Sequence, residues 1–235
     1  TAQVGFNSIV GNINSVSDVV AQQGKLRELL KYSVLWQIHE MLGDYEAHEQ
    51  RHEAATVHFQ TALTAINDVS YTPEPPPKNI IHSLFKKAES QRLLASWYVP
   101  NVSTRSGDPG GLGLQNIRGF TVNKTAIPVQ FEFGTDKFTK EGLKAAEGLL
   151  ALLNASDKKR ITLVGHTDPV GDDASNLTLS VKRGQAVSRF LQDKGYKGKI
   201  EVKGVGETEP FQPDSEFNYT VDQLHRMSRR VELLN

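Results

Sequence analysis

The hydrophobic period changes once along this chain, and that change limits what each half can become. From Lys25 to about Asn67 the apolar residues recur at three- and four-residue steps. Leu26, Leu29, Leu30, Leu35, Ile38 and Leu42 form one set; after Gly43, the set Ala55, Phe59, Ala62, Leu63 and Ile66 resumes it. Such spacing puts an apolar stripe on one side of a helix. Residues 1–23 are weakly patterned and read as a helix or a loosely tethered arm. The "TPEPPP" run (72–77) stops the helical pattern, because prolines remove backbone donors and fix φ. A third helix is expected from Ile80 to Trp97, and "PNVSTRSGDPGGLGLQNIRG" (100–119) reads as a linker rich in turn formers.

Beyond that point a period of two appears. "IPVQFEF" (127–133) alternates as a strand does, with Ile127, Val129, Phe131 and Phe133 on one face. "TKEGLKAAEGLLALLN" (139–154) returns to helical spacing, with Thr139 as N-cap and Glu141 in the first turn. "RITLVGHT" is a strand, residues 177–194 a helix, "KIEVKGVG" a strand and "SRRVELL" a final strand. The expected fold class is α+β. An all-α module, residues 1–99, precedes a Gly/Pro-rich linker, 100–118, and a βαβαββ domain, 119–235, whose helices pack on a small mixed sheet.

The chain has 235 residues, enough for one large domain or two modest ones at about 150 residues per domain. Lys+Arg and Asp+Glu are both 27, and residues 1–124 carry 11 of each sign. A nucleic-acid binder shows a basic half or stripe, so that class is demoted. Without cysteine there is no disulfide, thiolate zinc site or cysteine nucleophile. No apolar run nears the roughly 18 residues of a membrane span. The opening "TAQVGFNS" does not read as a signal peptide.

"HEQRHEAATVH" (48–58) matches the HExxH pattern of zinc peptidases, with His48 and His52 as ligands, Glu49 as base and His58 as third ligand. The longer pattern wants glycine where this chain has Ala55, and no methionine follows until Met227. Leu42, Gly43, Ala55, Phe59 and Ala62 instead resemble the spacing of a tetratricopeptide-like helix pair. In that register a turn falls near residues 48–51, and the two histidines leave a common face. "GDPGGLGL" (107–114) lacks both the leading strand and the GK[ST] of a phosphate loop.

The stretch "GHTDPVGDDASNLTLSVKR" (165–183) carries the strongest chemical signal. Asp168 follows a strand end, where ligands gather in sheets with parallel strands. Arg183 lies four residues after Leu179 and four before Val187, on an otherwise apolar stripe. An arginine there snorkels, pairs with Asp168, or holds a zwitterion with it, the guanidinium taking a carboxylate and the aspartate an ammonium.

"GHTDPVGDDASNLTLSVKRGQAVSRFLQDKG", "VKGVGETEP" and "SRRVELL", with the lead strand "VQFEF", resemble in order the C-terminal domain of the OmpA-like family over about residues 118–235. The resemblance implies non-covalent binding of peptidoglycan through the diaminopimelate of its stem peptide, with no catalysis and no cofactor. It makes Asp168 and Arg183 the central pair and adds Asn176, Thr167 and Arg229. Ser228 stands where the terminal NRRV motif has asparagine. Gly134 replaces the aspartate of the first strand's FDxxS motif, which leaves Asp136 as a further candidate. Gly184 replaces the usual alanine after the arginine, at a cost of about 1 kcal/mol in a helix. The expected role is anchoring an envelope protein to the wall in the periplasm, with envelope partners gripped by the N-terminal helices. The rivals are a structural envelope component without ligand and a zinc peptidase built on His48, Glu49 and His52.

Overall fold

The computed structural model describes residues 7–8, 16–156 and 158–234. They divide into two compact units, Thr1–Gln91 with Asn101–Thr121, and Arg92–Pro100 with Val122–Asn235.

The first unit is helical. Its helices are α1 (Val16–Leu29), α2 (Trp36–His48), α3 (His52–Asn67) and α4 (Lys78–Leu94), the last three residues of α4 grouping with the second unit. α2 and α3 pack closely because Gly43 has no side chain: a Cβ there would lie 2.5 Å from the Phe59 ring. Phe59, Leu42, Ile38 and Ile66 are fully buried. One buried cation sits among them. Lys87 Nζ reaches Asp44 at 2.9 Å and Glu40 at 3.6 Å, which offsets the cost of burying its charge.

The HExxH segment is not one helix. His48 ends α2, Gln50 adopts φ 57°, and His52 opens α3. His48 is exposed beside Glu49, His52 Nδ1 meets Gln91 Oε1 at 2.7 Å, and His58 faces His39. A helix with its two histidines on one face, as the zinc reading requires, does not form.

The glycine-rich segment expected as a linker over 100–118 packs against α3 instead. Gly111 N donates to Thr64 Oγ1 at 2.8 Å, and a Cβ on Gly111 would meet Gln60 at 2.6 Å. The segment closes in a small hairpin, β1 (Asn116–Ile117) with β2 (Phe120–Thr121). Its turn residue Arg118, φ 51°, donates to the carbonyls of Ile66, Thr72 and Pro73. Glycine served here for close approach to the helix, which composition alone does not separate from flexibility.

The second unit is a four-stranded mixed sheet in the order β3-β6-β4-β5, with β3 Lys124–Ile127, β4 Arg160–Gly165, β5 Lys199–Gly204 and β6 Val231–Leu234. β4 and β5 are parallel, and β6 runs antiparallel to both β3 and β4. Helices α5 (Lys140–Ala155) and α6 (Asp173–Asp193) join the strands. Ala145, Leu149, Leu153, Val187 and Leu191 pack against Ile127, Ile161, Leu163, Val231 and Leu233. Thr139 caps α5 by accepting from Gly142 N at 3.0 Å, as its position predicts. The opposite sheet face meets Leu93, Leu94, Phe211 and Met227 around Ala126.

Two local expectations differ. The alternating segment 127–133 is strand only at Ile127; beyond it Phe131 forms a single bridge to Phe138, and Phe133 is fully exposed. Its aromatics serve a loop cluster, with Phe131 on Phe138 at 5.2 Å and Phe138 on Phe190 at 5.9 Å. A short helix, α7 (Val221–Ser228), lies between β5 and β6, set by a Thr220–Gln223 capping box.

His39 and His58 join α2 to α3 through Nδ1 atoms 3.0 Å apart, so one ring must donate and the other accept. Burial first, then the facing His58 for His39 and Arg27 for His58, lowers both to about 4. The unfolded chain therefore binds protons near pH 6.5 that the folded chain refuses, and stability falls as pH falls from there. At about 1.4 kcal/mol per unit for each ring, denaturant titration at pH 7 and pH 5 is expected to show a loss of about 2 kcal/mol per histidine, about 4 kcal/mol for the pair. Equal stability at the two values would remove this account of the pair.

Candidate functional site

Three glycines bring α6 down onto the sheet. A Cβ on Gly165 would lie 2.1 Å from Ser180 O, on Gly204 2.5 Å from Ser180 Oγ, and on Gly184 2.7 Å from Val202 Cγ1. The Gly184 departure thus has a packing reason. The buried side of α6 is polar toward its N-terminus, with Asn176, Ser180 and Arg183, and apolar beyond, with Ala186, Val187 and Leu191. Asp172 caps this helix through Ser175 N at 2.9 Å. Arg183 consequently sits where β4 ends, at 6% exposure.

The guanidinium is only partly satisfied. Nε donates to Thr135 O at 3.1 Å, and the group lies 5.1 Å from the Phe131 ring centroid. Among the described residues no carboxylate is within ion-pairing distance. Burial, and then the charge of Arg229, push Arg183 below the ordinary guanidinium range, while Asp168 and Asp136 pull it back. At its ordinary value far above neutrality, such a group still keeps its proton.

Asp168 is committed elsewhere. Oδ2 pairs with Arg229 Nη1 at 2.5 Å, and Oδ1 accepts from Val170 N at 3.0 Å. The loop holding it leaves the sheet between two backbone clamps, His166 N to Arg230 O at 3.0 Å and Thr167 N to Gly206 O at 2.9 Å. Asn176 Nδ2 ties the loop to α6 through the carbonyls of Asp168 and Val170, and it also donates to Glu207. Asn176 therefore positions the loop. Thr167 is 3% exposed, with its hydroxyl turned inward. Asp136 is at the surface, 3.2 Å from Arg189, and reaches Arg183 only through its charge.

Arg183 opens onto a cavity of about 220 Å³ that Arg229 and Arg226 also line, together with Gln130, Thr139 and Phe131. Three guanidiniums and no carboxylate face this space. Such a lining selects anions, and carboxylates above all, because a guanidinium fork matches two oxygens. Arg226 also donates to Ala95 O at 2.6 Å. Sequence reasoning missed Arg226, Gln130 and Thr139. Arg226 lay in a helix of eight residues, too short for its apolar spacing to stand out, and the other two lay in the segment read as strand and cap.

Behind the site is a buried ionic group. Glu232 meets Arg230 at 2.8 Å, Lys124 at 3.3 Å and His166 at 3.5 Å. Burial alone would raise its pKa, but His166 and Arg230 outweigh it and hold the carboxyl well below the usual range. This fixes the strand that delivers Arg229 and Arg230.

Residues 130–218 match the OmpA family. Outer membrane protein A of Shimwellia blattae is 38% identical over 85 residues, 35% of this chain and 35% of that protein. Photosystem I P700 chlorophyll a apoprotein A2 of Gloeobacter violaceus is 30% identical over 108 residues, 45% of this chain and 12% of that protein. The chain thus spans about a third or less of these curated relatives. Among solved structures, the peptidoglycan-associated lipoprotein from Burkholderia pseudomallei is 22% identical, with TM-score 0.37 and coverage of 49% of this chain and 91% of that one.

The close seat of α6 generates a stability prediction. Gly184→Ala gains helix propensity but drives a methyl into Val202, and overpacking of this kind costs about 1–3 kcal/mol. A lower melting temperature is expected, recovered when Val202→Ala is added. A single variant melting above the parent would refute the close approach.

Proposed function

Because residues 130–218 form an OmpA family domain, we propose that this chain is a non-catalytic envelope protein whose C-terminal unit binds peptidoglycan through diaminopimelate. The observation that carries this reading is Arg183, a buried cation without a carboxylate partner on the wall of a small cavity. The ligand's carboxylate takes the place of that partner. Its ammonium turns to Asp168, which shares its charge with Arg229. Arg226 and Arg229 add anion preference at the rim, and Asn176 holds the aspartate loop in place. Thr167 contributes through its backbone, and Asp136 through its field at Arg183.

The wall-bound unit anchors the chain in the periplasm, and the N-terminal helices are free to bind an envelope protein. Among the described residues no helix is long and apolar enough to cross a membrane. Two observations favour the rival of a structural component without ligand: Asp168 is already paired, and Gly134 supplies no carboxylate.

Calorimetric titration with diaminopimelate separates the two. Asp168→Ala is expected to weaken binding by about 1.5–3 kcal/mol, roughly ten- to a hundredfold. Arg183→Met is expected to weaken it as much, while fold stability stays within about 1 kcal/mol, since an uncompensated buried charge is removed along with its contacts. No heat with the parent chain, or sacculus binding untouched by both substitutions, selects the structural component.

A further inference from the structure

A second charged feature lies at the other end of the same sheet. The parallel pairing of β4 with β5 starts with Arg160 opposite Lys199, which sets residues 158–160 of the sequence stretch "DKKR" beside "KGYKGK" (194–199). Lys199 N donates to Lys159 O at 2.8 Å, and Tyr196 Oη donates to Lys158 O at 2.7 Å. Between the segments is a cavity of about 420 Å³ lined by Lys158, Lys159, Lys197, Asn154 and Tyr196.

The two segments with the end of α6 hold six cations against two acids, Asp157 and Asp193. Lys159, Arg160, Lys194, Lys197 and Lys199 are exposed, and Lys158 is half-buried. Among the described residues, Lys159, Arg160, Lys197 and Lys199 make no ion pair. Lys203, further along the same strand, by contrast meets Glu201 at 3.2 Å. In a chain of zero net charge, this concentration is created by strand pairing and not by composition.

We propose that this end of the unit docks on the phosphates of an anionic phospholipid surface. The cavity admits a phosphate between lysines, and the flanking cations meet its neighbours. No large apolar side chain is exposed in these segments, so attachment is electrostatic and without insertion. It fades beyond a Debye length of the surface. β4 spans six residues, about 20 Å, so the lipid contact and the Arg183 cavity lie at opposite ends of a strand. The proposal does not depend on what that cavity binds.

The test is co-sedimentation of the full chain with vesicles of phosphatidylcholine alone or mixed with phosphatidylglycerol. Binding is expected only with the anionic vesicles, and it is expected to vanish as salt rises. Lys159→Glu with Lys197→Glu is expected to lower the partition coefficient by about a hundredfold or more, with the melting temperature unchanged. Equal binding to both vesicle types would overturn the proposal, as would full retention by the charge-reversed variant. Displacement by millimolar inorganic phosphate at constant ionic strength would mark a small-anion site, and tighter binding to soluble polyphosphate a polymer site; either outcome also overturns it.

Discussion

A guanidinium buried without a counter-ion is expensive, and the C-terminal unit is arranged around one. Removing a charge from water costs several kcal/mol unless partners replace the lost hydration. Arg183 recovers a part through Thr135 O and the Phe131 face, both from the loop that precedes α5. Arg229 makes matters worse by bringing like charge near, and Asp168 answers by neutralising Arg229. The aspartate thus acts on the buried arginine both by its own charge and through a third residue. The remaining deficit is what an incoming carboxylate would relieve, as the proposed binding of diaminopimelate requires.

Holding a charge in that position needs a rigid floor. The glycines at 165, 184 and 204 let α6 approach the sheet until side chains larger than hydrogen would collide with backbone or with Val202. Ser180 fills the seam and accepts from Gly206 N at 3.0 Å, which links the helix to the turn after β5. Gly206 O in turn receives Thr167 N from the aspartate loop. The helix carrying Arg183 and the loop carrying Asp168 are therefore referenced to the same turn. A shift of either would be felt by both.

Much of this was legible in sequence, and the failures have physical reasons. Asp168 and Arg183 stood out because each broke a local pattern, a carboxylate at a strand end and a cation on an apolar stripe. α5 was legible because Thr139 and a clean apolar stripe agree. The segment 127–133 was misread because alternation reports two-sidedness, and an aromatic loop that buries Phe131 but exposes Phe133 can imitate it. α7 escaped because eight residues offer barely two turns of periodicity. The glycines of 107–114 looked like flexibility, yet the same lack of a side chain permits contact with Gln60 and Thr64. Arg226 could not have been found without knowing which way α7 faces.

Charge balance in the whole chain hides how differently the cations of the second unit are used. Arg230 is spent inside, against Glu232, where burial and geometry make the pair structural. Arg183 is also inside but lacks a mate, and Arg226 and Arg229 extend its positive potential to the rim. Lys159, Lys197 and Lys199, at the far end of β4 and β5, are outside, without ion pairs among the described residues. A net charge of zero excludes a uniform field. It does not exclude two local ones separated by the length of a strand, each screened from the other by a distance greater than the Debye length at physiological salt, about 8 Å. Two anionic partners can then be met independently, because neither local field has to be weakened for the other to act.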